Sequence, residues 1–580
     1  MNNKVLLKYS ACIIFITTCL LTVIDTHLFV YQSLSRYLLL ETGIMTMSLL
    51  CLLAYIANKQ KIIIGPCEWL TFAWIIYIVL HGRFIASTCE LYRTYYLCTT
   101  LALIVVLTGL QRIRLLSREK IETCLLAIAI IHIVYITCQW MGMTDSGNKY
   151  FDITGCNENP TVTALYLVGC MPLLASRIRL SKERSGLYFV LFVISVICIL
   201  ALRCRTAYIG FGIEIGVMLT MTFKSRLPAK NKAFFYVFIS GILLFMAVSG
   251  LKMYNMKKDS ADGRRLIWKL SAEMIAEKPS GHGYGLFEKN YNLHQAGYFA
   301  NRKYSGTEKH NADFVHVPYN DYLEHGVEGG VAGMLFLAAF YALMTRKAVS
   351  AGDKDSVAVF AAFAVMSLTN FVYTSIQPWL LVMCYSSFVA YNCNEPEPQR
   401  KLPYLSNKVL LLVTVTVAYK VCCFTKSQMM LKKTERLADG RCFAADREYE
   451  ELENKIGTSE AFWSLRAGNG IRAKRYEEAL THVRKARAYS SHPELFAMQY
   501  RCLEHLGDTS GAVGSLDTLS YMLPQKLSVK YMLMKHYAHA GHNGKALYYA
   551  DDILSTGTKV ESDEATMIIN KAKQFKESHE

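Results

Sequence analysis

A chain of 580 residues is too long for one small domain, and its 52% hydrophobic content and mean hydropathy of +0.21 are high for a soluble protein of that size. The apolar residues fall in runs of about 20 up to residue 424 and then thin out, which excludes a wholly soluble enzyme and points to a polytopic helical membrane protein with a soluble tail. The net charge of +17 does not point to nucleic acid, because many Lys and Arg stand in short loops between apolar runs, where they set topology.

The N-terminus carries Lys4 and Lys8 before an apolar run that continues to about Val30, which reads as an uncleaved first span. Further spans are expected at 38–57, 62–81, 93–111, 121–141, 160–176, 186–203, 205–223 and 232–251. After a long polar interval come 326–345, 355–374, 377–393 and 407–424, for about 12–13 transmembrane helices in all. Alternate loops differ in charge. One set holds Lys4/Lys8, Lys59/Lys61, Arg112/Arg114/Arg118/Lys120, Arg177/Arg179/Lys182/Arg184, Lys224/Arg226/Lys230/Lys232, Arg346/Lys347 and Arg400/Lys401. The other set is poor in cations, with Arg36, Arg83, Arg93 and Lys149. The basic set belongs inside, so the N-terminus is predicted to be cytoplasmic and the long loop and C-terminal tail outside. The 18 Cys show no CxxC pair and no paired Cys/His spacing, and Cys12, Cys19, Cys51 and Cys98 read as small core residues, so no metal site is expected.

The long polar interval, 252–325, is the candidate reaction loop. Irregular backbone is not tolerated facing lipid, so the loop must gather over helix ends on one side of the membrane. Arg264 and Arg265 open it, and Trp268 follows on an expected amphipathic helix from Arg264 to Glu277. Arg203 and Arg205 lie where one apolar run ends and the next begins, on that same outer side. A guanidinium so close to a bilayer boundary is costly unless it snorkels or meets an anion. Two Arg clusters on one face suit a diphosphate, because guanidinium offers a planar fork of donors that stays charged at any working pH.

At the loop's exit, His316 and Asn320 are four residues apart. At helical spacing they share a face, as a general base and its orienting partner would. His282, His294, His310 and His325 compete with His316 in the same interval, and His310 is the alternative base. Pro279-Ser280-Gly281-His282-Gly283-Tyr284-Gly285 resembles a nucleotide loop only in its glycines. No strand precedes it and no P-loop Lys-Ser/Thr follows, so it reads as a turn with close backbone approach.

From about residue 430 the chain is soluble and helical in pattern. Ala479, Ala512 and Ala546 recur at spacings of 33 and 34 residues, and Pro493 and Pro524 fall near expected helix ends. This resembles about three tetratricopeptide repeats over 430–580, with Glu460 to Leu465 opening the first. The expected role is to bind a protein partner, the alternative a rigid spacer or stabilising cap.

Taken together, Arg264/Arg265 with Trp268, Pro279-x-Gly-x-Gly-x-Gly-x-Phe287, and Asn320-x-Tyr322-Leu323 followed by Glu328-x-Gly330 resemble the O-antigen ligase and O-antigen polymerase superfamily. Gly155-Cys156-Asn157-Glu158-Asn159-Pro160 and Arg205-Thr206-Ala207 are similar to its upstream motifs. The resemblance implies an all-α, GT-C-like membrane bundle over 1–425 in a bacterial cytoplasmic membrane. It implies a glycosyltransferase that takes a glycan from undecaprenyl diphosphate and passes it to a hydroxyl on lipid A core, another glycan or a protein, with no metal or other cofactor. Arg205 and Arg265 would grip the diphosphate with Arg264 and Arg203 as neighbours, and His316 would serve as base in an inverting transfer. The family commonly places His immediately before that Asn; this chain has Tyr319 there. Polymerase, protein O-oligosaccharyltransferase, transporter or flippase, and membrane-anchored scaffold are the alternative readings.

Overall fold

The computed structural model describes residues 3–85, 91–181, 183–223, 258–392, 400–556 and 562–579. They divide into two compact units, one drawn from 1–85, 92–256 and 319–429, the other from 86–91, 257–318 and 430–580. The polar loop thus groups with the tail and not with the helices that flank it in sequence.

The first unit is a helical bundle. Its helices are α1 (Asn3–Leu20), α2 (Gln32–Ala57), α3 (Pro66–Phe84), α4 (Leu91–Arg112), α5 (Arg118–Trp140), α6 (Pro160–Leu180), α7 (Ser185–Ala201) and α8 (Arg205–Phe223). After the loop come α12 (Asp321–Ser350), α13 (Lys354–Met366), α14 (Ile376–Asn392) and α15 (Tyr404–Gly440), the last running on into the second unit. Among the described residues, six helices are long and apolar enough to cross a membrane: Leu34–Ala57, Tyr92–Arg112, Arg118–Trp140, Pro160–Leu180, Asp321–Ser350 and Leu405–Gly440. Val5–Leu20 and Ser185–Ala201 are apolar but shorter. The span expected at 232–251 lies outside the described residues.

Two expected spans end early. The first helix stops at Leu20 instead of continuing to Val30, with turns closed by Thr22 and Val23 N–H bonds to Cys19 and Leu20 carbonyls. The span expected at 355–374 ends at Met366, and 367–375 is non-helical.

Ion pairs and backbone pairing gather the two loop sets at separate ends of the bundle. Strand β1 (Ile63–Ile64) pairs antiparallel with β2 (Arg400–Lys401), joining the Lys59/Lys61 and Arg400/Lys401 loops. Arg118 reaches Asp353 at 2.6 Å and Arg177 reaches Glu122 at 2.7 Å, which brings three more basic loops to that end. At the other end, Arg36 donates to the Asn157 side chain at 2.7 Å and the Cys156 carbonyl at 2.8 Å. The Gly155–Pro160 motif is a knot there: Gly155 has φ +72, the Thr163 hydroxyl bonds the Thr154 carbonyl and accepts from Asn157, and Asn159 caps α6 through the Thr161 N–H.

The second unit begins with the loop helices α9 (Lys258–Glu277), α10 (Phe287–Asn301) and α11 (Gly306–Asn311). Its tail holds α16 (Asp446–Ile456), then the pairs α17 (Glu460–Arg472) with α18 (Tyr476–Ala486), α19 (Pro493–His505) with α20 (Thr509–Met522), and α21 (Leu527–His539) with α22 (Asn543–Ser555), and finally α23 (Asp563–His579). Ala479, Ala512 and Ala546 occupy equivalent places on the second helix of each pair and are fully buried. Only a small side chain lets the paired helices approach there: a Cβ on Gly470 would stand 3.1 Å from the Ala479 methyl. The all-α architecture and the helix-pair repeat are therefore as expected.

Candidate active site

In the membrane unit, the non-helical segment 367–375 is the hub. Backbone that leaves the helix within an apolar bundle needs partners from elsewhere. Both Asp321 carboxylate oxygens accept from the Val372 N–H at 3.0 Å, one of them also from Tyr373 at 3.3 Å, and the Asp321 N–H bonds the Ser367 carbonyl at 2.8 Å. The Tyr96 hydroxyl donates to the Tyr373 carbonyl at 3.0 Å, that of Tyr37 to the Thr374 carbonyl, and the Thr206 and Thr369 hydroxyls meet at 3.3 Å.

The start of α8 therefore abuts this hub. Arg205 is its first residue and half-buried, while Ala207 is fully buried, so small residues after the Arg let the helix approach. Arg203 is exposed in the corner between α7 and α8, with φ +50, in the left-handed region.

Asn320 and Asp321 reach the same hub from the start of α12. Asn320 is extended and buried, and its side-chain oxygen accepts the Leu323 N–H at 3.1 Å as an N-cap. The expectation that His316 and Asn320 share a helical face is thus corrected. Residues 312–320 are not helical: Pro318 disfavours helical backbone at Val317, Tyr319 stands at φ +54, and α12 starts only after Asn320. Tyr319, at the position where the resemblance led to the expectation of His, packs its ring against Phe371, centroids 5.6 Å apart.

One turn into α12, the fully buried Glu324 pairs with Arg93 of α4 at 3.7 Å, and a further turn on Tyr373 donates to Glu328 at 3.4 Å. Gly330 then breaks the helix at φ 69, ψ −171, and the Tyr77 hydroxyl bonds the carbonyl of the buried Gly329. The Glu328-x-Gly330 motif is thereby explained: the Glu holds the hub and the Gly makes the break that only Gly adopts freely. Sequence reading used Arg93 only to set topology and passed over Asp321 and Glu324. The signal was available, since an acidic residue on the buried face of an apolar helix calls for a partner.

The second unit carries the other candidates. Arg264 is half-buried and Arg265 exposed on α9, whose Trp268 donates to the Pro318 carbonyl at 2.9 Å. His310 is half-buried in α11. His316 is exposed, its ring edge-on to Phe314 at 4.8 Å. Its segment is pinned to α10: Asn292 exchanges two bonds with the Val315 backbone, at 2.9 and 3.0 Å, and Gln295 donates to the Asp313 carbonyl at 3.0 Å. Gly281, Gly283 and Gly285 all have positive φ, the turn their spacing implied. Beside it, burial and then the Lys278 ammonium hold the His282 imidazole below its ordinary value. Glu308 caps α11 and pairs with Lys269 at 2.8 Å. Burial works to raise it, but Lys269, the Ser305 N–H and the Tyr298 hydroxyl outweigh burial and hold it at about 2.

Comparison with known proteins decides what these residues have in common. Residues 190–338 match the O-antigen ligase family. The matched segment contains Arg203, Arg205, Arg264, Arg265, His310, His316 and Asn320, and it reaches past the Gly330 break. Together with the apolar helices, the match points to a multi-pass membrane protein and supports a part in glycan transfer during surface-polysaccharide assembly. No curated protein matches the chain. Among solved structures, the crystal structure of the APC/C hetero-tetramer Cut9-Hcn1 is similar at 8% identity and TM-score 0.21, over 93% of this chain and 89% of that one. A likeness that slight adds nothing to the assignment.

Proposed function

We propose that this protein transfers a glycan from an undecaprenyl-diphosphate-linked donor to an acceptor hydroxyl on the outer face of a bacterial cytoplasmic membrane. The single observation that carries the reading is the O-antigen ligase match over 190–338, which takes in both arginine pairs and the His316–Asn320 exit. A lipid diphosphate is already a good leaving group. What remains is to stabilise the charge that grows on it and to remove the acceptor proton.

Arg205 and Arg265 grip the diphosphate, with Arg203 and Arg264 beside them. Guanidinium suits this because its donors pair with phosphate oxygens two at a time. His316 takes the acceptor proton, with His310 as the alternative base. Attack on the anomeric carbon opposite the diphosphate inverts its configuration. The 430–580 repeats and the reaction loop belong on the periplasmic side, because the positive-inside rule keeps the loops rich in Lys and Arg in the cytoplasm.

Deletion of the gene, followed by parallel analysis of lipopolysaccharide, polymer length and glycoproteins, tests this reading. Lipid-linked glycan should accumulate while lipid A core stays unmodified. Shortened polymers on a modified core would select the repeat-unit polymerase, lost glycoproteins the protein oligosaccharyltransferase, and a normal outer-face pool of lipid-linked glycan with all three products intact would reject transfer.

A further inference from the structure

The repeat array meets the reaction loop through a specific set of contacts. Glu288, in the first turn of α10, accepts from the Ser491 N–H at 3.0 Å, the Ser491 hydroxyl at 2.7 Å and the Ser490 hydroxyl at 2.9 Å. Lys289 donates to the Ala488 carbonyl at 2.7 Å. These partners lie in the connection between α18 and α19. A turn and a half further along α10, Gln295 donates to the Met522 carbonyl at the end of α20. Ala296 packs with Phe496, Leu519, Met522, Leu523 and Val529, flanked by Leu293 and Phe314. Lys309 of α11 faces Asp552 of α22 at 3.7 Å. The loop thus touches all three helix pairs of the array or their connections.

We propose that the array takes α10 as an internal ligand and so holds the reaction loop in register. This rests on the reading of His316 above. The physical chain is short: the array grips Glu288, Lys289 and Gln295, and α10 in turn fixes the His316 segment through Asn292 and Gln295. Gln295 serves both links at once, giving one amide hydrogen to Met522 and the other to Asp313. The burial of Lys289 supports the docking, since desolvation first and then Arg487 lower its affinity for a proton and only a tight contact strips its water. Repeats of this kind commonly hold a peptide or helix of another protein; here a helix of the chain itself packs on the array. Glu288 and Gln295 are positioning residues, acting on transfer through the placement of His316.

The test uses full-length protein in bilayer nanodiscs and compares wild type with Glu288→Ala, Glu288→Gln and Gln295→Ala. Two readouts are taken: the rate of tryptic cutting at Arg302, Lys303 and Lys309, and kcat and KM for glycan transfer. The expected result is cutting about tenfold faster in Glu288→Ala and Gln295→Ala, with kcat down by a similar factor and donor KM unchanged. Glu288→Gln, which keeps one acceptor oxygen, should fall between. Cutting at the wild-type rate in both alanine variants would overturn the docking. Faster cutting with unchanged kcat would overturn the positioning role. If one alanine variant fails to accumulate, the other decides, because they remove different bonds. Should wild type transfer no glycan, the functional reading fails while the cutting rates still report on the docking.

Discussion

Asp321 receives the Val372 N–H at 3.0 Å on each of its carboxylate oxygens, across 51 residues of chain. That bond lets the backbone leave the helix after Met366 without orphaning its donors in an apolar setting. Removing the carboxylate should therefore act on stability as well as on transfer. Asp321→Ala is expected to lower unfolding free energy by about 2–3 kcal/mol, the usual loss for charge-assisted bonds to a buried group. Thermal unfolding in detergent, with Asp321→Asn keeping one acceptor oxygen and losing less, checks it. Equal melting of the two variants would count against the assignment.

Gly330 sits at φ 69, ψ −171, a region open almost only to glycine. Gly330→Ala should cost about 1–3 kcal/mol through backbone strain. Straightening of α12 there would also pull Glu328 from Tyr373. The check is a melting curve beside the transfer assay, and an alanine variant as stable and active as wild type would remove the break from the mechanism.

The carboxyl of Glu308 is held at about 2, below its ordinary value near 4.5. A lowered carboxyl pKa gives stability that is complete above the unfolded value and lost as pH falls through the folded one. The Lys269–Glu308 anchor should then persist at pH 5 and fail as pH drops from about 4 to about 2. Cutting by pepsin around residues 305–311 reads this directly. Wild type should resist at pH 4 and yield at pH 2, whereas Glu308→Gln should yield at both.

His316 and His310 compete as base. His316→Ala should lower kcat by about 100-fold or more and His310→Ala by far less. The reverse order would move the base into α11. Equal, small losses would mean that the reaction leans on the diphosphate leaving group and not on a histidine.

Hydropathy made the bundle legible, because a run of apolar residues about 20 long has few other uses. The repeats were legible in Ala479, Ala512 and Ala546, since close helix approach demands a small side chain at a fixed period. The early end of α13 was not: Phe371-Val372-Tyr373 is as apolar as a helix interior, and the bend is imposed by Asp321 from another helix. Nor was the docking of α10, because Glu288 and Ser491 stand 203 residues apart and neither is unusual locally. Asn320 was noticed for the wrong reason. Its place before Asp321 and the apolar run beyond is an N-cap signal, and Pro318 rules out the helical face that would have joined it to His316.

The central claim, transfer from a lipid diphosphate gripped by arginine, is tested most directly by following undecaprenyl diphosphate release. Purified wild type, Arg205→Ala and Arg265→Ala would be given an undecaprenyl-diphosphate-linked glycan and an acceptor in nanodiscs. Wild type should release the lipid diphosphate in step with glycan appearing on the acceptor, and each variant, still inserted, should fall by about 100-fold or more. Release by either variant at the wild-type rate would contradict it.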